Sequence, residues 1–373
     1  MIRILAFLAI LFACSAVYAA EVKLGVLFAE TGPASYLGHP EKQTVEMLVE
    51  QVNAAGGING NKIKLISYDT QGDEQRAINY FKRLATRDRV FAILGPTTTG
   101  SSLAIKDMAE KFKIPLISCA ASAAIVNPVG KYVFKTPQSD LLAAEAIFKY
   151  MKQKGMNSAA ILTAQNGFGT TGREALLESA KLQGIKITAD EKFGDKDKDM
   201  TSQLSKIRTT SPDIVICWGV GPAPAIVAKN AKELGMDNLF MSHGVASMKF
   251  IELAGNSAEG LKLPAGRLNV VDKLDDNDPF KSLLTTYKSD YENKYKAPVS
   301  AFGGYAYDAF YLFKSAYEKS GDDKEKFISA LASTKGFKGT TGEFNMSKTD
   351  HNGLSSDSFI MVEIKDGNFE ILK

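Results

Sequence analysis

The sequence predicts an α/β protein built as two doubly wound parallel-sheet lobes, and three observations carry that expectation. The chain has 373 residues, where one domain typically takes ~100 to 200. From Glu21 onward, short β-like runs alternate with amphipathic helical stretches, the pattern of a parallel sheet covered by helices. The alternation breaks once, at the polar run Lys135-Thr136-Pro137-Gln138, and then restarts. Proline biases the residue before it towards extended backbone, so this run reads as a connection between two sheets.

In the first series, residues 22–27 read as a strand, 40–54 as a helix with Val45, Leu48, Val49 and Val52 at helical spacing, and 62–68 as the next strand. Gly56-Gly57 stops that helix, as glycine after a last turn does. Helix 75–86, strand 90–94, helix 101–112 and strand 115–118 complete the series. The second series runs helix 140–154, strand 159–163, helix 171–183, strand 186–191, helix 200–209, strand 214–218, helix 224–234 and strand 239–242. Two further helical stretches follow at 279–295 and 305–320, and 359–372 reads as a hairpin turned by Asp366-Gly367.

Composition narrows the function. Hydrophobic residues at 45% and charged residues at 23% are the fractions of a soluble globular protein. The 45 basic and 42 acidic residues leave a net charge of +3. Lysines alternate with Asp and Glu along the helices, which describes a solvated surface and gives no support to nucleic-acid binding.

The first twenty residues differ from the rest. Arg3 supplies a positive start, residues 4–13 are an unbroken apolar run, and Val17-Tyr18-Ala19 offers a cleavage site. These are the parts of a secretory signal occupying 1–20, with the mature chain starting near Ala20 or Glu21. The apolar run is shorter than the ~20 residues of a membrane-spanning helix. Leu11-Phe12-Ala13-Cys14 partly resembles a lipoprotein box, so lipidation at Cys14 is the alternative to simple cleavage. Either way the chain is exported, and the expected location is the periplasm. Cys119 and Cys217 remain in the mature chain, each ending an apolar run, and are expected to be buried and free.

Parallel sheets place their ligand sites outside the carboxyl ends of the strands. The loops there are small, hydroxylated and glycine-rich: residues 30–38 after the first strand, 95–102 after the third, and Cys119-Ala120-Ala121-Ser122 after the fourth. The second loop sets Thr97, Thr98, Thr99, Ser101 and Ser102 at a helix start, where unsatisfied N–H groups and the helix dipole favour a carboxylate. Helix capping needs one such hydroxyl and is the structural alternative. Thr98 and Thr99 are carried forward as candidate ligand contacts.

No P-loop lysine follows Gly100 and no Gly-x-Ser-x-Gly elbow occurs. The three histidines, His39, His243 and His351, lack metal-ligand spacing. Neither catalysis, a metal nor a cofactor is expected. His243, just past a second-lobe strand, is either a local hydrogen-bonding partner or a ligand contact. Trp218 and Phe168 also follow second-lobe strands and either pack in the core or line a cleft.

At Thr31-Gly32-Pro33, at Asn53-Ala54-Ala55-Gly56-Gly57-Ile58-Asn59-Gly60, at Gly95-Pro96, at Ile114-Pro115-Leu116-Ile117-Ser118 and at Ala258-Glu259-Gly260, the mature chain closely resembles the leucine/isoleucine/valine-binding proteins of bacterial ABC transporters. These are type I periplasmic binding proteins. The resemblance implies lobe 1 from 21–138 plus 267–349 and lobe 2 from 139–266 plus 350–373, with three crossovers near 136–139, 266–268 and 349–352 forming a hinge. It implies closure around one solute, with a membrane permease and its ATPase as partners. A ligand sensor that presents its closed form to a signalling partner is the alternative.

The resemblance further implies that Thr99 and Ser122 hold the ligand carboxylate, with backbone amides near Ala120. It assigns Tyr36 and Phe168 to the ligand side chain and makes Phe302 a further pocket candidate. Where the amino-acid binders place a glutamate for the ligand ammonium, this chain has His243. A buried ammonium without a counter-charge costs several kcal/mol. Histidine instead suits a hydroxyl, a keto oxygen or a second carboxylate, so the expected ligand is a small carboxylate, either an amino acid or, given His243, an aromatic or keto acid. The family's first-lobe disulfide is absent, its positions corresponding to Gly72 and Thr98.

Overall fold

The computed structural model describes residues 21–372. The signal segment and Cys14 lie outside the described residues. Strands β1 (Glu21–Phe28), β2 (Lys62–Asp69), β3 (Ala92–Leu94), β4 (Leu116–Ser118) and β5 (Val133–Lys135) form a fully parallel sheet in the order β2-β1-β3-β4-β5. Helices α1 (Ser35–Ala54), α2 (Glu74–Arg83) and α3 (Thr99–Phe112) connect them.

The second sheet is fed by α4 (Asp140–Gln153), β6 (Ser158–Ala164), α5 (Gly167–Gln183), β7 (Lys186–Phe193), α6 (Thr201–Thr209), β8 (Ile214–Trp218), α7 (Ala223–Glu233), β9 (Leu239–Met241), α8 (Met248–Ala254) and β10 (Lys262–Ala265). Its later helices are α9 (Lys281–Tyr295), α10 (Ala301–Ser320) and α11 (Lys324–Ala332). They pack back on the first lobe, where α10 lies along α1 and Phe313 meets Phe91 at 6.4 Å. A two-stranded pair, β11 (Phe337–Lys338) with β12 (Glu343–Phe344), follows. The chain then ends in β13 (Ile360–Lys365) and β14 (Asn368–Ile371).

The second sheet runs β14-β13-β10-β9-β8-β6-β7, parallel from β10 to β7 and antiparallel where β13 joins β10 and β14. The terminal hairpin closes through Asp366 and Gly367, both at positive φ (50° and 71°), the backbone of a tight two-residue hairpin turn.

Three departures from the sequence reading have physical causes. Helix α1 starts at Ser35 and carries Pro40 inside it, where a proline had marked a first turn. Strand β5 went unread because it is short and ends in Lys135, which looks polar in sequence but is wholly buried. Its ammonium donates to the Pro137 carbonyl at 2.6 Å. Strand β10 and helices α8 and α11 are further elements that the sequence reading does not contain.

Side chains bind the connections between the sheets together. The Gln138 amide donates to the carbonyls of Ser358 (2.9 Å) and Thr341 (3.3 Å), and the Asn352 amide donates to those of Pro137 (3.0 Å) and Lys135 (3.2 Å). Fully buried backbone of this kind must be paired, and here side chains from distant parts of the chain do the pairing.

Cys119, just after β4, and Cys217, on β8, are buried and free. Burial pushes both thiols up from their ordinary range. Both are expected to stay silent to a thiol-reactive dye in the native mature protein and to react fully in denaturant. Prompt native labelling of either would contradict this burial.

Candidate functional site

A cavity of about 480 Å³ lies between the carboxyl ends of the two sheets. On the first-lobe side the chain leaves β3 into Thr97, Thr98 and Thr99. Thr97 accepts from the Ala29 N–H at 3.0 Å and donates to the buried Glu41, whose carboxyl burial pushes up. Thr98 sits in extended backbone as the N-cap of α3 and its hydroxyl meets that of Ser101 at 2.9 Å. Among the described residues this leaves Thr99, 3% exposed on the first helical turn, as the uncommitted hydroxyl of the three.

On the second-lobe side Asn166 caps α5, accepting from the Gly169 N–H at 2.8 Å and donating to Asp195 at 2.7 Å. The two helix starts meet. A Cβ on Gly167 would come within 2.9 Å of the Gly100 backbone, so glycine at 167 lets α3 and α5 touch. Two helix N-termini thus point their free N–H groups at one cavity, an arrangement that favours a negative charge.

The far end is aromatic. His243, 3% exposed, has Phe168 at 5.4 Å, Trp218 at 5.4 Å and Phe359 at 5.3 Å between ring centroids. Trp218 is sealed beneath Gly172, where a Cβ would fall 1.9 Å from its indole nitrogen. Among the described residues, neither ring nitrogen of His243 has a hydrogen-bond partner. Burial, reinforced by the positive charge of Lys135, pushes this imidazole down to about 3, so it is neutral at physiological pH. It therefore presents one donor and one acceptor.

Of the sequence-predicted residues, Thr98, Thr99, Ala120, Phe168, His243 and Phe302 line the cavity. Two do not. The Ser122 hydroxyl is fully buried and accepts from the Ala124 N–H at 3.1 Å, capping a single helical turn. Tyr36 faces a second, larger cavity of about 890 Å³. The expected amide of Ala120 is already donated to the Ser118 hydroxyl at 3.1 Å.

Sequence reasoning missed Glu74, Asp195, Lys196 and Tyr305, which also line the cavity. Glu74 and the Asp195-Lys196 pair follow β2 and β7, so the same strand-end rule reaches them. Tyr305 lies one helical turn after Phe302 on α10. Gly72 and Thr98 are neighbours, since a Cβ on Gly72 would lie 3.5 Å from the Thr98 methyl.

Two parallel-sheet lobes, three connections between them, and a cavity closed by both sets of strand ends define a protein that binds a small solute between its lobes. The chain belongs to the periplasmic binding protein family, whose profile matches residues 21–368. It is 26% identical over 357 residues to the leucine-, isoleucine-, valine-, threonine-, and alanine-binding protein of Pseudomonas aeruginosa, spanning 94% of this chain and 92% of that one. It is 25% identical over 317 residues to the Leu/Ile/Val-binding protein of Escherichia coli K12, 84% of each. The crystal structure of an extracellular ligand-binding receptor from Rhodopseudomonas palustris HaA2 superposes with a TM-score of 0.88 at 26% identity, covering 95% of this chain and 100% of that one. Members of this family are extracytoplasmic binding proteins, and among the described residues no helix is long and apolar enough to cross a membrane.

Proposed function

We propose that this chain is the periplasmic solute-binding protein of an ABC importer and that its ligand is a small aromatic or keto acid. Lobe 1 (21–138 plus 267–349) and lobe 2 (139–266 plus 350–373) close on the ligand and present it to a permease and its ATPase. The ligand carboxylate sits at the start of α3 against Thr99, and its other polar group meets His243. The observation that carries this is His243 itself: a buried neutral imidazole on the cavity wall with both nitrogens unpartnered. Such a group costs free energy unless a ligand completes it. It cannot neutralise an ammonium.

An amino-acid ligand is the second reading. It is favoured by Glu74 and Asp195 on the same cavity wall and by the names of the Pseudomonas and Escherichia relatives. Thermal unfolding of the refolded mature protein against L-leucine, L-phenylalanine, 4-methyl-2-oxopentanoate and 4-hydroxybenzoate separates the two. Ligand at a hundred times its dissociation constant adds about 2.7 kcal/mol. Stabilisation by the acids and not by the amino acids is expected; stabilisation by leucine alone would overturn the role given to His243. Thr99→Ala is expected to weaken every accepted ligand about tenfold, the worth of one hydrogen bond to a charged group. Unchanged affinities would remove the carboxylate from that helix start.

A further inference from the structure

Tyr36 is expected from sequence to touch the ligand, but its contacts are of another kind. It belongs to the first turn of α1, in the first lobe, and its hydroxyl is satisfied entirely by second-lobe backbone. It accepts from the Gly221 N–H at 2.7 Å and reaches the Gly244 carbonyl at 3.3 Å. Gly221 follows β8, and Gly244 lies in the single helical turn His243–Val245 that carries the cavity's unpartnered imidazole. The Tyr36 ring stands edge-on to Phe302 at 5.7 Å, with the 480 Å³ cavity on the Phe302 side and the 890 Å³ cavity on its own. Its neighbours Pro33, Ala34 and Leu37 line the smaller cavity while Tyr36 does not.

We infer that Tyr36 is a positioning residue that latches the lobes together and holds the His243 turn against the cavity, without contacting the ligand. Both hydrogen bonds run from one lobe to the other, so they exist only when the lobes are closed. The phenol exchanges water for a backbone donor and acceptor at the moment of closure. The latch therefore acts on the closed state of every ligand alike, slowing release and leaving capture by the open state unchanged. This inference rests on the proposed closing of two lobes but not on the identity of the ligand.

The test is Tyr36→Phe in the mature protein, which keeps the ring as the wall between the cavities and removes only the hydroxyl. Lobe separation is read by energy transfer between dyes on Phe112→Cys and Leu182→Cys. These residues are exposed by 37% and 79%, at the far ends of the two helices that meet at the cavity. The native cysteines are buried and are expected not to label. Without ligand, the closed fraction is expected to fall several-fold in the variant; an unchanged fraction overturns the latch. With 4-methyl-2-oxopentanoate and 4-hydroxybenzoate as probes, release should quicken by about tenfold for both, the worth of a buried hydrogen bond, with association rates unchanged. Unequal changes for the two probes would make Tyr36 a ligand contact and overturn the inference. If neither probe binds while the closed fraction still responds to Tyr36→Phe, the latch stands and the acid ligand fails.

Discussion

Asp308→Ala is expected to lower the stability of the protein by on the order of 4 kcal/mol, read as the urea unfolding midpoint of the mature chain. Asp308 lies on α10 with no exposed surface. Its carboxyl accepts from the N–H groups of Thr340 at 2.6 Å and Thr341 at 2.9 Å, and from the Thr341 hydroxyl. The Thr340 hydroxyl is shared between this carboxyl at 3.1 Å and the Gly304 carbonyl at 2.8 Å. Alanine would leave two buried backbone donors and a hydroxyl without acceptors, each costing about 1 to 3 kcal/mol, less what the loop recovers by relaxing. Asparagine is no remedy, because its amide turns two donors towards a ring of donors. Burial pushes the Asp308 carboxyl up to about 7 even against these hydrogen bonds, so the site is costly to fill and costlier to vacate. The loss should also be felt in the hinge, because the Thr341 carbonyl accepts from Gln138 on the first crossing between lobes. A stability within ~0.5 kcal/mol of wild type, the ordinary scatter of a neutral surface change, would mean that the loop finds its acceptors elsewhere.

None of this was legible in the sequence, and the reason is general to the chain. Periodicity exposed elements whose patterns are local and long: β8 falls at the residues expected of it, and the terminal hairpin turns on the expected Asp366-Gly367. What periodicity cannot carry is the choice among equivalent polar groups. The hydroxyl-rich loop offered Thr97, Thr98 and Thr99 as equals. The structure ranks them through Ala29 and Glu41, 68 and 56 positions away, which commit the Thr97 hydroxyl although the residue still lines the cavity. The resemblance places Ser122 on the carboxylate, whereas in the structure its hydroxyl accepts from the Ala124 N–H, a partner that no periodicity reveals. Lys135 reads as a solvent-loving break between lobes and is instead buried at the end of a three-residue strand. Residues whose position follows from a strand end, His243 and Phe168 among them, arrive at the cavity wall. Tyr36, whose hydroxyl is held by Gly221 and Gly244 about two hundred positions away, does not.

The second large effect concerns His243 and sets stability against binding. In the folded chain its imidazole is pushed down to about 3 by burial and by Lys135. In the unfolded chain it titrates near the model-peptide value of about 6.5. Between those two values the unfolded state holds a proton that the folded state refuses, so stability falls as pH drops from about 6.5 towards 3 and is unaffected above 6.5. At about 1.4 kcal/mol per unit, the full window is on the order of 5 kcal/mol. His243→Leu removes that proton and fills similar space among Phe168, Trp218 and Phe359. It is therefore expected to be at least as stable as wild type at neutral pH and distinctly more stable at pH 4 to 5, by the difference in urea midpoints. A variant with the same acid sensitivity as wild type would mean that other groups, His351 first, whose imidazole burial also pushes down, carry the slope. The same variant is expected to bind 4-hydroxybenzoate at least tenfold more weakly, because the ligand's distal oxygen loses its partner, while plain benzoate, with no such oxygen, loses little. A histidine kept only to fill the core would show the gain in stability and no loss in binding. Gain and loss together are what a buried, unpartnered imidazole should give when its partner is the ligand.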